Sequence, residues 1–352
     1  MRALKPVHLG PNQLDRFYRG GAKIAWFRGL TEDGDHLPED WVASTTSAFG
    51  EGDAGLTRLP DGQTLRAAVE ADPEAYLGSR HVNRFGTSTE LLVKLLDAGE
   101  RLPVHCHPDD AFAVRHLGCP YGEHGKTEAW ILLPGTAPGA VVYLGFQSDV
   151  DEATLRGWTA AQDSAAMLAA MNRFEVAPGD RVLVPAGFPH AIGAGAFVIE
   201  LQEPADLSVM LEWEPFGVDG KVQVGVDRDV ALTCLDRRAV DAERLKRLHL
   251  HDDGTAVPAG PVPLMPADAD QFFRAERLQP QGSALTLPPA FSVLVVTAGT
   301  GTLSTEHGDR VPLRTGATVL LPFGCGQTEL AGDVDVVRCL PPDPDTAEPA
   351  RK

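Results

Sequence analysis

Two nine-residue segments that resemble each other constrain the fold most strongly. Residues 179–187 (GDRVLVPAG) and 316–324 (GATVLLPFG) each contain a turn glycine, a short apolar run and a Pro-x-Gly turn. Short apolar runs between turn residues are typical of buried strands. The sequence therefore predicts a protein dominated by β-structure, with two related barrels and a few helices. Only the first copy continues to a histidine, His190, so we expect only the first barrel to bind a metal ion.

The length of the chain is compatible with two domains. It has 352 residues, and a domain commonly has ~150 residues. A stretch rich in Pro, Ala and Gly at about 254–268 predicts a linker. We expect an N-terminal domain over 1–253 with the metal site, a C-terminal domain over 254–341 and a disordered tail over 342–352. Helical patterns are expected over 61–79, 150–172 and 229–250.

Charge and cysteine content restrict the class of partner and the compartment. A formal net charge of -18 disfavours nucleic acid and anionic membranes, both of which need clustered Lys and Arg. The five cysteines are widely spaced, and no CxxC pair occurs. We therefore expect no disulfide framework and a location in a reducing cytoplasm. The first residues contain no apolar segment typical of a secretory signal.

A His-x-His pair ends a short stretch, 99–107 (GERLPVHCH), that predicts a β-strand. Alternate residues of a strand point to one face, so His105 and His107 share a face and Cys106 points away from them. Imidazole nitrogen suits Zn, Fe, Ni and Cu alike. The pair is therefore half of a candidate metal site, and Glu128 and His190 are candidates for the other half.

The spacing of these residues matches two known motifs. The stretch from Gly99 to His107 matches the first cupin motif, and the stretch from Gly179 to His190 matches the second. In such a barrel, inward-facing residues of adjacent strands converge. They can surround one ion and leave positions open for water or substrate. Spacing alone leaves Glu123 and Glu128 as alternatives for the carboxylate ligand.

Longer segments resemble the type I mannose-6-phosphate isomerases, which are zinc-dependent cupins. The resemblance covers roughly residues 20–220, and the C-terminal barrel matches only in outline, as a degenerate cupin. It rests on four segments: 91–98 (LLVKLLDA), 107–113 (HPDDAFA), 125–130 (GKTEAW) and 185–195 (PAGFPHAIGAG), with Glu200, Gln202 and Asp206 extending it.

The resemblance implies a sugar isomerase and assigns its site. Metal binding falls to His105, His107, Glu128 and His190, with one divalent ion, expected to be Zn²⁺. Lys94, Lys126 and Glu200 fall in the active-site pocket. Isomerisation moves a proton between C1 and C2 through an enediol, so it needs a base and a positive centre for the developing oxyanion. Glu200 and Lys126 are both candidates for the base.

Three departures from the family pattern concern the substrate. His105 stands where the family usually has Gln, Pro103 where it has Ser, and Met210 where it has Arg. An arginine binds phosphate through bidentate, permanently charged contacts, and methionine cannot. The expected partner is therefore a sugar phosphate or an unphosphorylated sugar, bound by a monomer or homodimer. Two other classes stay open: a cupin metalloenzyme that uses Fe, Mn or Ni, and a non-catalytic sugar-binding protein.

Overall fold

A computed structural model describes residues 2–31, 34–117, 124–218, 226–252 and 260–345. Glu123, Cys119, residues 254–259 of the predicted linker and residues 346–352 of the predicted tail lie outside these ranges. Within the described ranges, no helix combines the length and the apolar character that crossing a membrane requires.

Strands outnumber helices in the described part of the chain, which confirms the predicted strand-dominated fold. The α-helices are α1 Ala22–Arg28, α2 Leu65–Ala71, α3 Pro73–Leu77, α4 Ser79–Phe85, α5 Asp110–Phe112, α6 Glu152–Ala161, α7 Ser164–Ala170, α8 Arg228–Ala231 and α9 Ala242–Leu248. The strands are β1 Val7–His8, β2 Gln13–Leu14, β3 Glu39–Val42, β4 Leu92–Asp97, β5 His105–Cys106, β6 Glu128–Leu132, β7 Val141–Phe146, β8 Met171–Glu175, β9 Arg181–Val184, β10 His190–Ile192, β11 Phe197–Gln202, β12 Val209–Met210, β13 His249–Leu250, β14 Val262–Pro263, β15 Arg274–Leu278, β16 Leu285–Leu287, β17 Ser292–Thr305, β18 Arg310–Arg314, β19 Thr318–Leu321 and β20 Thr328–Leu340.

The predicted helices form in part. In 61–79, Pro73 ends one helix and occupies the first turn of the next, where its missing N–H costs nothing. The 150–172 segment forms α6 and α7, and a strand begins at Met171. The helix prediction for 229–250 is wrong over 235–241, which are not helical, and at its end, because His249 and Leu250 leave α9 to pair with β9. Tertiary pairing there overrides a helical local pattern.

The strands form three antiparallel sheets. A five-stranded sheet has the order β12-β5-β10-β7-β8, and a seven-stranded sheet has the order β13-β9-β6-β11-β4-β3-β2. The eight-stranded third sheet contains β14–β20 and also β1, since Val7 pairs with Leu320. Arg274 contacts Asp343, so the beginning of the predicted tail lies against this sheet.

The candidate site lies between the two N-terminal sheets. One apolar core contains side chains of both, among them Ile192 from the five-stranded sheet and Trp130 from the seven-stranded sheet. Ile192 is two residues from His190 on one strand, so both face this shared core. Cys106 and Ala191 face the opposite way, into a second apolar cluster. The prediction that Cys106 points away from the histidine pair agrees with this placement.

Candidate active site

Three histidines meet where β5 and β10 pair. His105 lies directly opposite His190 in the antiparallel register, and His107 follows two residues later on the same face. The ring centroids lie 4.1 Å apart for His105 and His190, 4.9 Å for His105 and His107, and 4.8 Å for His107 and His190. One ligand nitrogen from each ring lies within 4.8 Å of the others.

Backbone carbonyls orient all three rings in the same manner. The Nδ1 atoms of His105, His107 and His190 lie 2.8, 2.6 and 2.8 Å from the carbonyl oxygens of Pro103, Leu207 and Phe188. A carbonyl oxygen can only accept, so each Nδ1 carries the proton. Each Nε2 then keeps its lone pair, and such a second hydrogen bond is what holds a ligating histidine in place.

Glu128 reaches the cluster from the facing sheet. Its carboxylate oxygens lie 3.0 Å from His107 Nε2 and 3.3 Å from His190 Nε2, and 3.0 Å from Lys126 Nζ. His190 Nε2 is buried and makes no hydrogen bond. Buried polar atoms seldom stay in that state without a further ligand. Three imidazole lone pairs and one carboxylate are a donor set that fits a divalent metal ion.

Burial and neighbouring charge keep His105, His107 and Glu128 in the protonation state that metal binding needs. Burial, together with Lys126, lowers the pKa of His107 to about 3. Burial, together with the neighbouring imidazoles, lowers the pKa of His105 well below its usual value. Burial would raise the pKa of Glu128, but Lys126 and His107 beside it lower that pKa well below the usual range. Near pH 7 His105 and His107 are therefore neutral and the carboxylate is ionised, as metal ligation requires.

A cavity of about 400 Å³ opens beside the cluster. Its walls include His105, Glu128 and all three residues expected in the active-site pocket, Lys94, Lys126 and Glu200. A larger cavity of about 800 Å³ lies in the eight-stranded sheet, between 279–284 and 331–335. None of its lining residues is a histidine or a cysteine, so we place the candidate site at the smaller cavity.

Lys94 and Glu200 form a buried ion pair on adjacent strands. They are directly opposite in the β4–β11 register, and Nζ lies 3.2 Å from Glu200 Oε2 and 3.4 Å from Glu39 Oε2. Burial would lower the pKa of Lys94, but Glu39 and Glu200 raise it above the usual value. Burial raises the pKa of Glu200 because it outweighs the attraction of Lys94.

Sequence patterns did not indicate part of the cavity wall. Arg16, Tyr18 and Glu39 also line it, and they come from a stretch without a recognisable motif. Tyr18 donates a hydrogen bond of 2.5 Å to Glu39, and Trp41 donates one of 2.7 Å. The four residues of β3 (EDWV) include two carboxylates, so this strand lacks the apolar surroundings that marked Glu200 in β11 (FVIELQ).

The structure corrects one expectation about histidines outside the site. Histidines that belong to none of the sequence motifs, among them His249 and His251, are expected to be exposed to solvent. His251 is exposed, but His249 is buried, with 8% of its surface accessible. The reason is the pairing of β13 with β9, which brings His249 against Phe174 and Asp180.

The fold and the site together define a class: a cupin-type protein with a cluster of three histidines and one glutamate, buried except for the partly accessible His105, at the wall of a cavity. No family model matches the chain. Among curated proteins, the mannose-6-phosphate isomerase of Streptococcus mutans is 29% identical over 271 residues, covering 74% of this chain and 78% of that protein. The mannose-6-phosphate isomerase of Bacillus subtilis is 26% identical over 95% of this chain and 98% of that protein.

Solved structures of this kind have the same fold. The crystal structure of a Bacillus subtilis mannose 6-phosphate isomerase superposes with a TM-score of 0.73 at 21% identity, over 96% of this chain and 99% of that chain. A mannose 6-phosphate isomerase solved with zinc and yttrium bound has a TM-score of 0.71 at 14% identity, over 96% of this chain and 100% of that chain. The chain is therefore similar to mannose-6-phosphate isomerases in sequence and in fold, which fits a divergent member of that family of sugar isomerases.

Proposed function

We propose that the protein is a metal-dependent aldose–ketose isomerase that works through an enediol. His105, His107, Glu128 and His190 would hold one divalent ion, Zn²⁺ by our assignment. When bound, the ion supplies positive charge beside the reacting sugar oxygens. The observation that carries the proposal is the shared orientation of the three imidazoles, whose Nε2 lone pairs converge with Glu128 at the wall of a sugar-sized cavity.

Glu200 is our choice for the base. Its carboxylate lines the cavity, and its raised pKa makes it a better proton acceptor than an ordinary glutamate. In the aldose, Glu200 removes the C2 hydrogen as a proton. The electrons of that bond form the C1=C2 double bond, and the carbonyl electrons move onto O1. The O2 proton passes to O1, the O2 electrons form the C2=O bond, and Glu200 returns its proton to C1, which gives the ketose.

Lys126 and Lys94 then have different tasks. Lys126 Nζ lies 3.0 Å from both Glu128 and His107, at the wall of the cavity, so its ammonium can donate to a developing oxyanion. An ammonium held beside a carboxylate is a poor base, which is why we do not choose Lys126 for proton removal. Lys94 holds Glu200 in position through the ion pair, and we assign it as a positioning residue.

Metal content and proton exchange test these roles. His107→Ala should contain one equivalent of zinc less than the wild type, whereas His81→Ala, a buried histidine bonded to the Ser88 carbonyl, should lose none. Glu200→Gln should keep its metal but lose C2 exchange in deuterated water, and Glu276→Gln in the eight-stranded sheet should keep both. Full metal in His107→Ala would refute the ligand assignment. Iron content with oxygen uptake would favour a different metalloenzyme, and no exchange with any aldose would favour a binding protein.

The substrate is either a sugar phosphate or an unphosphorylated sugar, and the charge of the cavity favours the unphosphorylated sugar. The described lining residues include six carboxylates, from Asp15, Glu39, Glu51, Glu128, Glu200 and Asp206, but only three cations, from Arg16, Lys94 and Lys126. Each cation already lies within 3.5 Å of a carboxylate, and Arg16 contacts three. A phosphate dianion would therefore meet a net negative wall.

A comparison of mannose with mannose 6-phosphate decides between these substrates. We expect mannose to have the higher kcat/KM. Met210→Arg, which places a guanidinium at the cavity wall, should raise kcat/KM for the phosphorylated sugar, and Met210→Gln, polar but uncharged, should not. A wild-type preference of tenfold or more for mannose 6-phosphate would contradict the neutral-sugar candidate and leave the isomerase proposal in place.

A further inference from the structure

A second group of metal-binding side chains lies away from the cavity. His249 belongs to β13, and His251 follows two residues later. Asp180 immediately precedes β9, the strand with which β13 pairs. The pairing brings these three side chains together at the edge of the seven-stranded sheet. Val184, at the other end of β9, pairs with Glu128, so the two clusters are separated by the length of a four-residue strand, roughly 10 Å.

The distances in this group approach those around a tetrahedral ion. Asp180 Oδ2 lies 3.8 Å from His249 Nε2, and Asp180 Oδ1 lies 3.3 Å from His251 Nδ1. All three ligand atoms lie within 4.8 Å of one another. Ligands ~2.1 Å from a tetrahedral Zn²⁺ are about 3.4 Å apart. Small side-chain rotations would therefore complete the geometry.

A buried atom without a partner points into the group. His249 is more than nine-tenths buried, and its Nε2 is inaccessible and makes no hydrogen bond. Without an ion, a hydrogen bond between His251 and Asp180 would explain their 3.3 Å contact, but His249 Nε2 would still have no partner. His81 shows how a buried histidine is satisfied without a ligand: its Nε2 lies 2.8 Å from a backbone carbonyl oxygen. An ion at the second group would satisfy His249.

The surroundings hold the carboxylate ready and leave a route for the ion. The backbone N–H groups of Ala177 and Asp252 donate to Asp180 Oδ2 and Oδ1, which fixes the orientation of the carboxylate. Each of these oxygens retains a second lone pair for a metal. The His251 side chain is 67% exposed, so the ion can enter from solvent and water can occupy the remaining positions.

We propose that Asp180, His249 and His251 bind a second divalent ion of the Zn²⁺ class, with water as the remaining ligand. Two imidazoles and one carboxylate select borderline ions such as Zn²⁺, Co²⁺ and Ni²⁺ over Mg²⁺ and Ca²⁺, which take oxygen ligands. The ion joins β13 to the turn that precedes β9, and its binding stabilises this edge of the sheet.

Calorimetric titration of the metal-stripped, full-length protein with Zn²⁺ tests the proposal. His251→Ala is the main variant, because the side chain is exposed and its loss should leave the fold intact. His307→Ala is the matched control, an exposed histidine beside one carboxylate, Glu306. We expect His251→Ala to bind one equivalent less than the wild type, and His307→Ala to bind the same number. The loss of affinity should exceed the about 10–100-fold effect of losing an outer-shell partner.

The outcome is separable from that of the active-site proposal. His107→Ala should also lose one equivalent, and the double variant His107→Ala/His251→Ala should lose two. Asp180→Asn, which keeps an oxygen acceptor, should behave like His251→Ala. An unchanged stoichiometry in both His251→Ala and Asp180→Asn would overturn the second site. In the His107→Ala background, the increase of Tm on adding Zn²⁺ should disappear when His251 is also replaced.

Discussion

Lys94 offers the sharpest test of how the site is held together. Its side chain is 3% exposed, and its ammonium lies 3.4 Å from Glu39 and 3.2 Å from Glu200. The Trp41 ring centroid is 4.8 Å away. Lys94→Met keeps most of the apolar length of the side chain but removes the charge. The substitution leaves a buried carboxylate, Glu200, without its cation, whereas Glu39 keeps its contacts with Arg16.

The expected loss of stability follows from that uncompensated charge. Removing one partner of a buried ion pair costs about 3–5 kcal/mol. For a chain of 352 residues that unfolds as one unit, the entropy of unfolding corresponds to ~0.7 kcal/mol per degree. Lys94→Met should therefore lower Tm by roughly 4–7 °C. Adding Glu200→Gln to Lys94→Met removes the unpaired carboxylate charge, and the double variant should recover at least half of the lost Tm.

Thermal and urea unfolding of the chelator-treated protein measure the effect, because bound metal would otherwise add to stability. The four proteins of a double-mutant cycle give the coupling between Lys94 and Glu200. Lys246→Met is the matched control: that lysine is exposed, pairs with Glu243 at 2.8 Å, and should cost less than about 1 kcal/mol. At ~0.7 kcal/mol per degree, a change of about 1 °C corresponds to less than about 1 kcal/mol. If the Tm of Lys94→Met lies within that range of the wild type, Lys94 does not compensate the charge of the buried Glu200 carboxylate.

Three further predictions concern the scaffold. Gly187 has a φ of +83°, and a Cβ added there would lie 2.9 Å from a carbonyl oxygen, whereas Gly62 has a φ of +88° and open space around it. Gly187→Ala should therefore destabilise the protein by about 1–3 kcal/mol more than Gly62→Ala does. Urea midpoints of the two variants measure the difference. Burial and a nearby carboxylate raise the pKa of Glu203 well above its usual value. The stability that its bound proton contributes is therefore complete below pH 4 and decreases as the pH rises toward the folded-state pKa, so between pH 5 and 8 the Tm of Glu203→Gln should fall less than that of the wild type. Glu212 accepts two hydrogen bonds of 2.6 Å from Arg101. Glu212→Gln should cost about 1–3 kcal/mol in urea unfolding and weaken zinc binding, because the carboxylate also anchors the residue before β5; unchanged stability and affinity would contradict this role.

The sequence was most informative where a function needs particular residue types at short spacing. His105 and His107 lie two apart on one strand, and that local geometry decides that they share a face. The turn glycines and the short apolar runs predicted the strand-dominated fold for a similar reason, since both are properties of a few consecutive residues. The four expected metal ligands and the three expected pocket residues all lie at one place in the structure.

Relations between distant segments could not be read in this way. Arg16 and Glu39 line the cavity because β2, β3 and β4 are neighbours in one sheet, and no spacing in the sequence encodes that order. His249 is buried because residues 249–250 form β13, which pairs with β9, whereas the local pattern predicted a helix there. The sequence by itself determined which strands present imidazoles and to which face. Only the tertiary structure decided which charges neutralise each other and which buried nitrogen lacks a partner, because burial and ion pairing depend on contacts between segments far apart in the chain.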